Sequence, residues 1–389
     1  MSLILTLNAG SSSIKFGLYA AADDPVEEAR GQIDALGAEA RLSVEAAGSR
    51  TTSPVAAADH AAGLAALLVA LEPLAAGREI AAVGHRVVHG GPDIDGPRRL
   101  GDDLIAQLEA LSPLAPLHQP HNLAGVRAAL GAFPGAVQVA AFDTAFHRGH
   151  AWVNDTFALP RRFYAAGVRR YGFHGLSYDY ITGRLAAEHP ELAAGRVIVA
   201  HLGNGASLCA IEEGRSVAST MGFSALDGMP MGTRVGQLDP GVVLYLMAQG
   251  MSAEEITTLL YKESGLRGLS GISHDMRTLL ASDAPEAREA IAYFTFRLAR
   301  EIGGLTAAMG GLDALVFTGG IGEHAAPIRA MALENMDFLG LSVDGAANAA
   351  NAAAIHAGRV PILVMATDEE RIIARAAQAH LTPTARGAS

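Results

Sequence analysis

The chain has 389 residues, half of them hydrophobic, which is more than one compact core ordinarily holds, so two domains are expected. A formal net charge of −11 argues against a nucleic-acid partner, which would call for a basic face. The single cysteine, Cys209, cannot form an internal disulfide, no run approaches the roughly 20 apolar residues of a membrane span, and no basic segment precedes a long apolar stretch at the N-terminus, so a soluble, cytoplasmic protein with no membrane partner is expected.

Residues 3–7 and 14–19 read as two strands joined by the turn "NAGSSS". A helix is expected within 57–74, with Asp59 as its N-cap. The run 80–91, "IAAVGHRVVHGG", reads as a strand entering a glycine-rich loop; 103–111 reads as a short helix that ends before Pro113. Residues 136–147, "AVQVAAFDTAFH", read as a buried strand leading into a polar loop. The stretch 196–214 repeats the opening plan of apolar strand, Gly/Asn/Ser turn and apolar strand. An offset of about 195 residues lays Gly10 on Gly205 and Ser12 on Ser207, which suggests two halves of one design.

Further along, Pro240 suits the first turn of a helix, and Ser252 with Glu255 forms a capping-box pattern. A long helix should run from Pro285 to about Met309. "DALVFTGGIGEHAAPIRAMALENM" reads as strand, glycine loop and helix, and "PILVMATDEERIIARAAQ" as strand, acidic turn and helix, with Thr367 and Glu370 as a second capping box. The Ala/Asn-rich stretch 344–358 reads as a helix and surface loop without an assigned function. Strands alternating with helices make this an α/β protein.

Chemistry is concentrated in a few segments. The opening turn combines small residues, hydroxyls and Lys15, one of only two lysines in the chain. Consecutive backbone N–H groups in such a turn can cradle an anion, although an ordinary tight hairpin fits the same residues. "HLGNGAS" (201–207) and "TGGIGEH" (318–324) are two more glycine loops placed directly after apolar strands. Three such loops in one acidic chain point to a polyphosphate ligand, and the third precedes a helix whose N-terminus favours negative charge. Arg86 and Arg234 lie in glycine-rich settings and suit bidentate binding of a carboxylate or phosphate. Asp143 stands at the C-terminal end of a buried strand, where open α/β sheets bind ligands. His174, between Phe173 and Gly175, suits a donor to a transferring group; His118 and His147 are weaker candidates.

Ten segments in register, among them "LNAGSSSIKF", "GHRVVHGG", "PLHQPHNL", "FDTAFH", "YGFHG", "AHLGNGAS", "MGTRVGQLDP", "SGISHDMR", "FTGGIGEH" and "ATDEER", resemble the acetate kinase family, within the actin-like, sugar-kinase and chaperone-ATPase superfamily. That resemblance implies two duplicated ribonuclease-H-like domains around a central cleft. The expected boundaries are 1–147 plus about 371–389 for the acyl-substrate side and 148–370 for the nucleotide side. It implies a homodimer that transfers the γ-phosphoryl of ATP to a short carboxylate, giving acyl phosphate and ADP, with Mg²⁺ (or Mn²⁺).

Carried over by motif, Asn8 and Glu369 would hold the metal, Ser12 and Lys15 would serve the nucleotide phosphates, and Arg86 would bind the carboxylate. Val88, Leu117 and Phe173 would line the acyl pocket. Asp143 would be the catalytic acidic residue, expected to orient an arginine or a metal-bound water, since a carboxylate substrate is already ionised at neutral pH. His174 and Arg234 would stabilise the transition state. His201, Leu202, Gly203, Asn204 and Gly205, with Asp275, Met276 and Arg277, and with Gly320, Ile321, Gly322, Glu323 and His324, would bind ATP.

The chain departs from the family's usual pattern at four places: Leu176 for Thr and Tyr178 for His after "GFHG", Ala225 for Pro beside the acyl pocket, and His324 for Asn. The expected substrate is acetate, with propionate accepted. A propionate or butyrate kinase of the same mechanism, and an actin-like ATPase without a carboxylate acceptor, are the competing readings. A serine hydrolase would need a G-x-S-x-G elbow that the opening turn lacks.

Overall fold

A computed structural model describes residues 2–10, 13–37, 39–116 and 118–381. Two site candidates, Ser12 and Leu117, lie outside the described residues. The chain divides into two compact units, 1–148 with 368–389, and 149–367.

In the first unit the strands are β1 (Leu3–Ala9), β2 (Ile14–Ala20), β3 (Val26–Asp34), β4 (Arg41–Ala46), β5 (Ser49–Pro54), β6 (Ile80–Val87), β7 (Arg98–Arg99) and β8 (Val137–Phe142). They form one sheet in the order β5-β4-β3-β2-β1-β6-β8-β7. β1 pairs antiparallel with β2 and parallel with β6, and β6 pairs parallel with β8. β1 reads as an unbroken apolar run because both of its faces are covered. Leu3, Leu5 and Leu7 pack with Leu64, Leu67 and Leu71 of the helix His60–Ala75. The C-terminal helix Glu369–Leu381 also packs on β1, β6 and β8. Each leucine so buried contributes roughly 1.5–3 kcal/mol.

The second unit holds β9 (Arg196–Leu202), β10 (Ala206–Glu212), β11 (Arg215–Ser219), β12 (Ala314–Thr318) and β13 (Ile362–Val364), in the order β11-β10-β9-β12-β13. β9 is antiparallel to β10 and parallel to β12, and β12 is parallel to β13. With the additional strands β4, β5 and β7 of the first unit left out of the numbering, both sheets share a 3-2-1-4-5 order: an antiparallel meander of three, then two strands, β6 and β8 or β12 and β13, parallel to the first. The α/β class and the duplication are therefore both present. The two opening hairpins differ in their turns, with residues 10–13 between Ala9 and Ile14 but only 203–205 between Leu202 and Ala206.

Most expected elements form. Asp59 accepts from the Ala62 N–H, Pro240 opens Pro240–Ala248 behind Asp239, the Ser252–Glu255 capping box closes, and a helix runs Pro285–Ala308. Three readings need correction. Strands β3, β4 and β5 were not anticipated, because β5 is exposed at every position and β3 at four of nine, so neither carries a clear apolar alternation. "GGIGEH" is not a loop before a helix but itself the short helix Gly319–His324, followed by Ala326–Leu333. The Thr367–Glu370 capping box does not form: Asp368 Oδ1 accepts from the Arg371 N–H instead, and the Thr367 hydroxyl accepts from Ser177. Among the described residues no helix is long and apolar enough to cross a membrane.

Candidate active site

In the first unit, the parallel run β1-β6-β8 brings the C-terminal ends of its strands to one edge of the sheet, where open α/β sheets present functional side chains. Asn8 is the penultimate residue of β1, Arg86 that of β6, Asp143 directly follows β8, and Glu369 opens the C-terminal helix. Arg86 is their hub. Its Nε and Nη2 donate to Asp143 Oδ1 and Oδ2 at 2.9 and 2.6 Å, its Nη1 donates to Asn8 Oδ1 at 3.3 Å, and Glu369 Oε2 lies 3.9 Å from Nε. Burial works against the charged guanidinium, but Asp143 and Glu369 outweigh it and hold Arg86 protonated more firmly than usual.

Excess negative charge gathers at this edge. Burial pushes the Glu369 carboxyl above its ordinary range; Arg86 and Lys15 pull it down, while Asp143 and Asp368 push it further up. Glu370 is raised by burial and by Glu369. Lys15 is exposed and faces Asn8 across the β1–β2 hairpin. The loop after β6 is pinned by residues that the sequence reading missed. Asn122 accepts from the Val88 N–H and donates to the Ala9 carbonyl, Gln119 brackets the backbone of His89, and Thr144 accepts from the Gly90 N–H. In "PLHQPHN" the histidines attracted notice, yet it is the amides that fasten the loop. Their signal was an amide pair three residues apart, on one face of a helix.

In the second unit, His174 takes the N-cap position of the helix Gly175–Glu188 with φ +57°, a left-handed conformation uncommon for a residue with a side chain. Its ring stacks on that of His201, the penultimate residue of β9, with centroids 4.3 Å apart. His174 Nδ1 lies 2.8 Å from Ser207 Oγ, and His201 Nδ1 lies 2.8 Å from Ser177 Oγ. A Cβ on Gly205 would stand 3.0 Å from both His174 Nε2 and Arg234 Nη2, so the absence of a side chain there is what lets the two nitrogens approach the turn. Arg234 Nη1 donates to the Ala225 carbonyl at 2.9 Å.

The same unit contains a cavity of about 590 Å³, within the roughly 300–1,000 Å³ of small-molecule pockets. Gly203, Asn204, Asp275, Met276, Arg277, Gly320, Ile321 and His324 line it. Of the other residues expected to bind ATP, His201, Leu202, Gly205, Gly322 and Glu323 are not in its lining. Leu202 is fully buried, and Glu323 is turned inward, where Oε1 accepts from the N–H groups of Gly319 and Thr367. Behind the short helix Gly319–His324 sits Arg329, fully buried and missed in the sequence. It donates to the carbonyls of Gly322 and Glu323 and to Asn348 and Asn351 of the Ala/Asn-rich stretch. A guanidinium satisfied wholly by neutral oxygens thus ties that stretch to the cavity wall. Phe173 and Val88, the described acyl-pocket candidates, are both buried.

At the first unit's sheet edge two oxygen donors of the kind a hard divalent cation takes face the Arg86 guanidinium, and no group of three or more metal-ligating His, Cys, Asp or Glu side chains occurs among the described residues. Asn8 and Glu369 offer oxygen atoms, too few to fill an octahedral shell, as expected where phosphates and water supply the rest.

Comparison with known proteins gives one answer. The model of the acetokinase family matches residues 3–375. The acetate kinase of Methylocella silvestris is 54% identical over 388 residues, covering 96% of each chain. The crystal structure of Porphyromonas gingivalis acetate kinase superposes with a TM-score of 0.88 at 36% identity, covering 98% of this chain and 100% of the other. A propionate kinase from Francisella tularensis superposes with a TM-score of 0.92 at 35% identity, covering 97% and 99%. The family model and the curated acetate kinase support an ATP-using phosphotransferase that acts on acetate, and the chain belongs to the acetokinase family.

Proposed function

We propose that acetate is held at Arg86 in the first unit and ATP in the cavity of the second, and that transfer is an in-line displacement at the γ-phosphorus. The observation that carries this reading is the bidentate lock of Asp143 on Arg86. Three of the five guanidinium N–H groups are committed to Asp143 and Asn8, which leaves two to meet a carboxylate in a fixed orientation. Asp143 orients the arginine and takes no proton. One acetate oxygen forms a bond to phosphorus as the bond from phosphorus to the β-phosphate oxygen breaks, with ADP leaving and no base required. Arg234 and His174 donate to the equatorial oxygens, where charge spreads in the transition state. Asn8 and Glu369 would hold Mg²⁺, which would neutralise phosphate charge. Lys15 supports the phosphates at the opening turn.

Acetate is the preferred acid and propionate is accepted. The alanine at 225 removes a proline ring from the position the family uses beside the acyl group, and one methylene of discrimination is worth only about 1–3 kcal/mol. A homodimer working in the cytoplasm completes the reading. Its support is the helix Pro240–Ala248, which buries none of its residues and exposes Val242, Leu244, Tyr245 and Met247.

The deciding experiment is the trapping of acyl phosphate as hydroxamate from ATP and a series of carboxylates, with and without Mg²⁺. Product is expected with acetate, less with propionate, and almost none without the metal. No product with any acid would sink the mechanism, and a propionate kcat/KM well above that of acetate would reverse the substrate assignment.

A further inference from the structure

We propose that Tyr178 is a positioning residue for phosphoryl transfer. Its hydroxyl donates to Ser207 Oγ, Ser207 donates to His174 Nδ1, and His174 is thereby held in the tautomer that carries its proton on Nε2. This rests on the reading of His174 as a donor to the transferring phosphoryl group. Tyr178 stands where the family's usual motif has a histidine, so the device belongs to this chain's own residues.

The three groups form a continuous chain. The Tyr178 hydroxyl lies 2.5 Å from Ser207 Oγ, and Ser207 Oγ lies 2.8 Å from His174 Nδ1. Tyr178 and Ser207 are fully buried, on the helix Gly175–Glu188 and on β10. The far ring nitrogen, Nε2, reaches the Gly205 turn beside Arg234 Nη2.

Ser207 is fully buried, and with its one hydrogen given to one of these two neighbours the chain runs in one of two directions. If Ser207 donates to Tyr178, His174 Nδ1 must carry a proton to reach Ser207. A neutral ring then turns a bare lone pair at Nε2 toward phosphoryl oxygens. A doubly protonated ring would escape that repulsion, but it would place a cation beside the Arg234 guanidinium and against the stacked ring of His201. If Tyr178 donates to Ser207, Ser207 donates to Nδ1, and a neutral ring presents an N–H at Nε2. Only the second direction yields the donor without a charge penalty. His201 shows the opposite arrangement. Ser177 donates to Thr367 Oγ1 at 2.9 Å, so its oxygen must receive from His201 Nδ1. The two stacked rings then carry their protons on different nitrogens, each set by its own serine.

The test uses the full-length enzyme and the variants Tyr178→Phe, Ser207→Ala, their double variant and His174→Asn. Tyr178→Phe keeps the ring and removes the hydroxyl. Its kcat is expected to fall about five- to twentyfold while KM for acetate and ATP stays within about twofold. The double variant should lose no more than Ser207→Ala alone, since Tyr178 acts only through Ser207. Nitrogen-15 spectra of the His174 ring should show Nε2–H in the parent and a mixture of tautomers in both single variants. Unchanged kcat in Tyr178→Phe, additive losses, or an undisturbed tautomer would each overturn the relay. His174→Asn separates the two readings. A collapse of kcat there with none in Tyr178→Phe removes the relay alone, whereas full activity in His174→Asn removes the role of His174 itself. Should Tyr178→Phe fold poorly, the parent spectrum decides: Nε2–H is the expected result, and Nδ1–H overturns the proposed direction of the chain.

Discussion

The two sheets share a strand order and differ in what they place at the ends of their strands. The penultimate residue of the first strand is Asn8 in one sheet and His201 in the other. The penultimate residue of the strand beside it is Arg86 in β6, a partly exposed guanidinium clamped by Asp143, but Phe317 in β12, fully buried. After the fifth strand comes Asp143 in one case and the buried Met365 in the other. One scaffold therefore carries a network of opposite charges in the first unit, and a glycine turn with stacked imidazoles beside a cavity lined by glycines and the Asp275–Arg277 pair in the second. Backbone topology decides where functional side chains can stand; the residue at each strand end decides the chemistry.

The most severe way to break this contrast is Arg86→Ala. Acetate kinase activity should fall by about 10³-fold, with Asp143 and Glu369 left without their cation. The control is Phe317→Leu at the matching place in the second sheet, expected to cost about 1 kcal/mol of stability by thermal denaturation and to leave kcat near the parent value. Equal losses of activity from both would erase the functional difference between the strand ends.

Next in size is Gly205→Ala. The added methyl would press on His174 Nε2 and Arg234 Nη2, whose side chains are tied through Nδ1 to Ser207 and through Nη1 to the Ala225 carbonyl, and kcat should drop on the order of tenfold in steady-state assays. An unchanged kcat would mean that neither nitrogen needs its present position.

Acid should weaken the first unit selectively. Burial pushes His85 down to about 4, with Gln138 opposing only in part, and burial with Arg148 pushes His89 down to about 3. Both rings are neutral in the fold, and in the unfolded chain they take up protons near pH 6.5. Their stabilisation is complete above that pH and is lost as pH falls toward 4, by on the order of 2 kcal/mol each at pH 5. Hydrogen exchange at pH 7.5 and pH 5 should show β6 losing more protection than β12; equal losses would contradict the assignment.

The smallest effect is expected from Lys15→Ala. The side chain is exposed, so a rise of a few-fold in KM for ATP with little change in kcat is expected, alongside unaltered thermal stability. Unchanged ATP kinetics would return Lys15 to the surface of an ordinary hairpin.

Particular residues show how far the sequence could be read. Apolar runs with Gly or Asn at their ends marked β1, β6, β8, β9 and β12 because a strand covered on both faces writes its burial continuously into the chain. β5 left no such trace, because its side chains are exposed and its pairing with β4 comes from the backbone. "GGIGEH" has three glycines among its first four residues, and it is helical because Arg329 and Glu323 hold its two ends. Asn122 and Gln119 stood inside a quoted motif, but nothing local says that an amide reaches a backbone 30 residues or more away.

Sequence alone determined the α/β class, the duplicated plan and the family, since these rest on periodicity and on motifs that survive as strings of residues. It also supplied the chemical types at the strand ends. Tertiary structure alone decided which of those residues meet: that Asp143 locks Arg86, that Glu323 accepts from the N–H groups of Gly319 and Thr367, and that Tyr178 reaches His174 through Ser207. The physical reason is range. Periodicity and capping act over a few neighbouring residues, whereas hydrogen bonds and ion pairs act through space, between positions that only the folded backbone brings within about 3 Å.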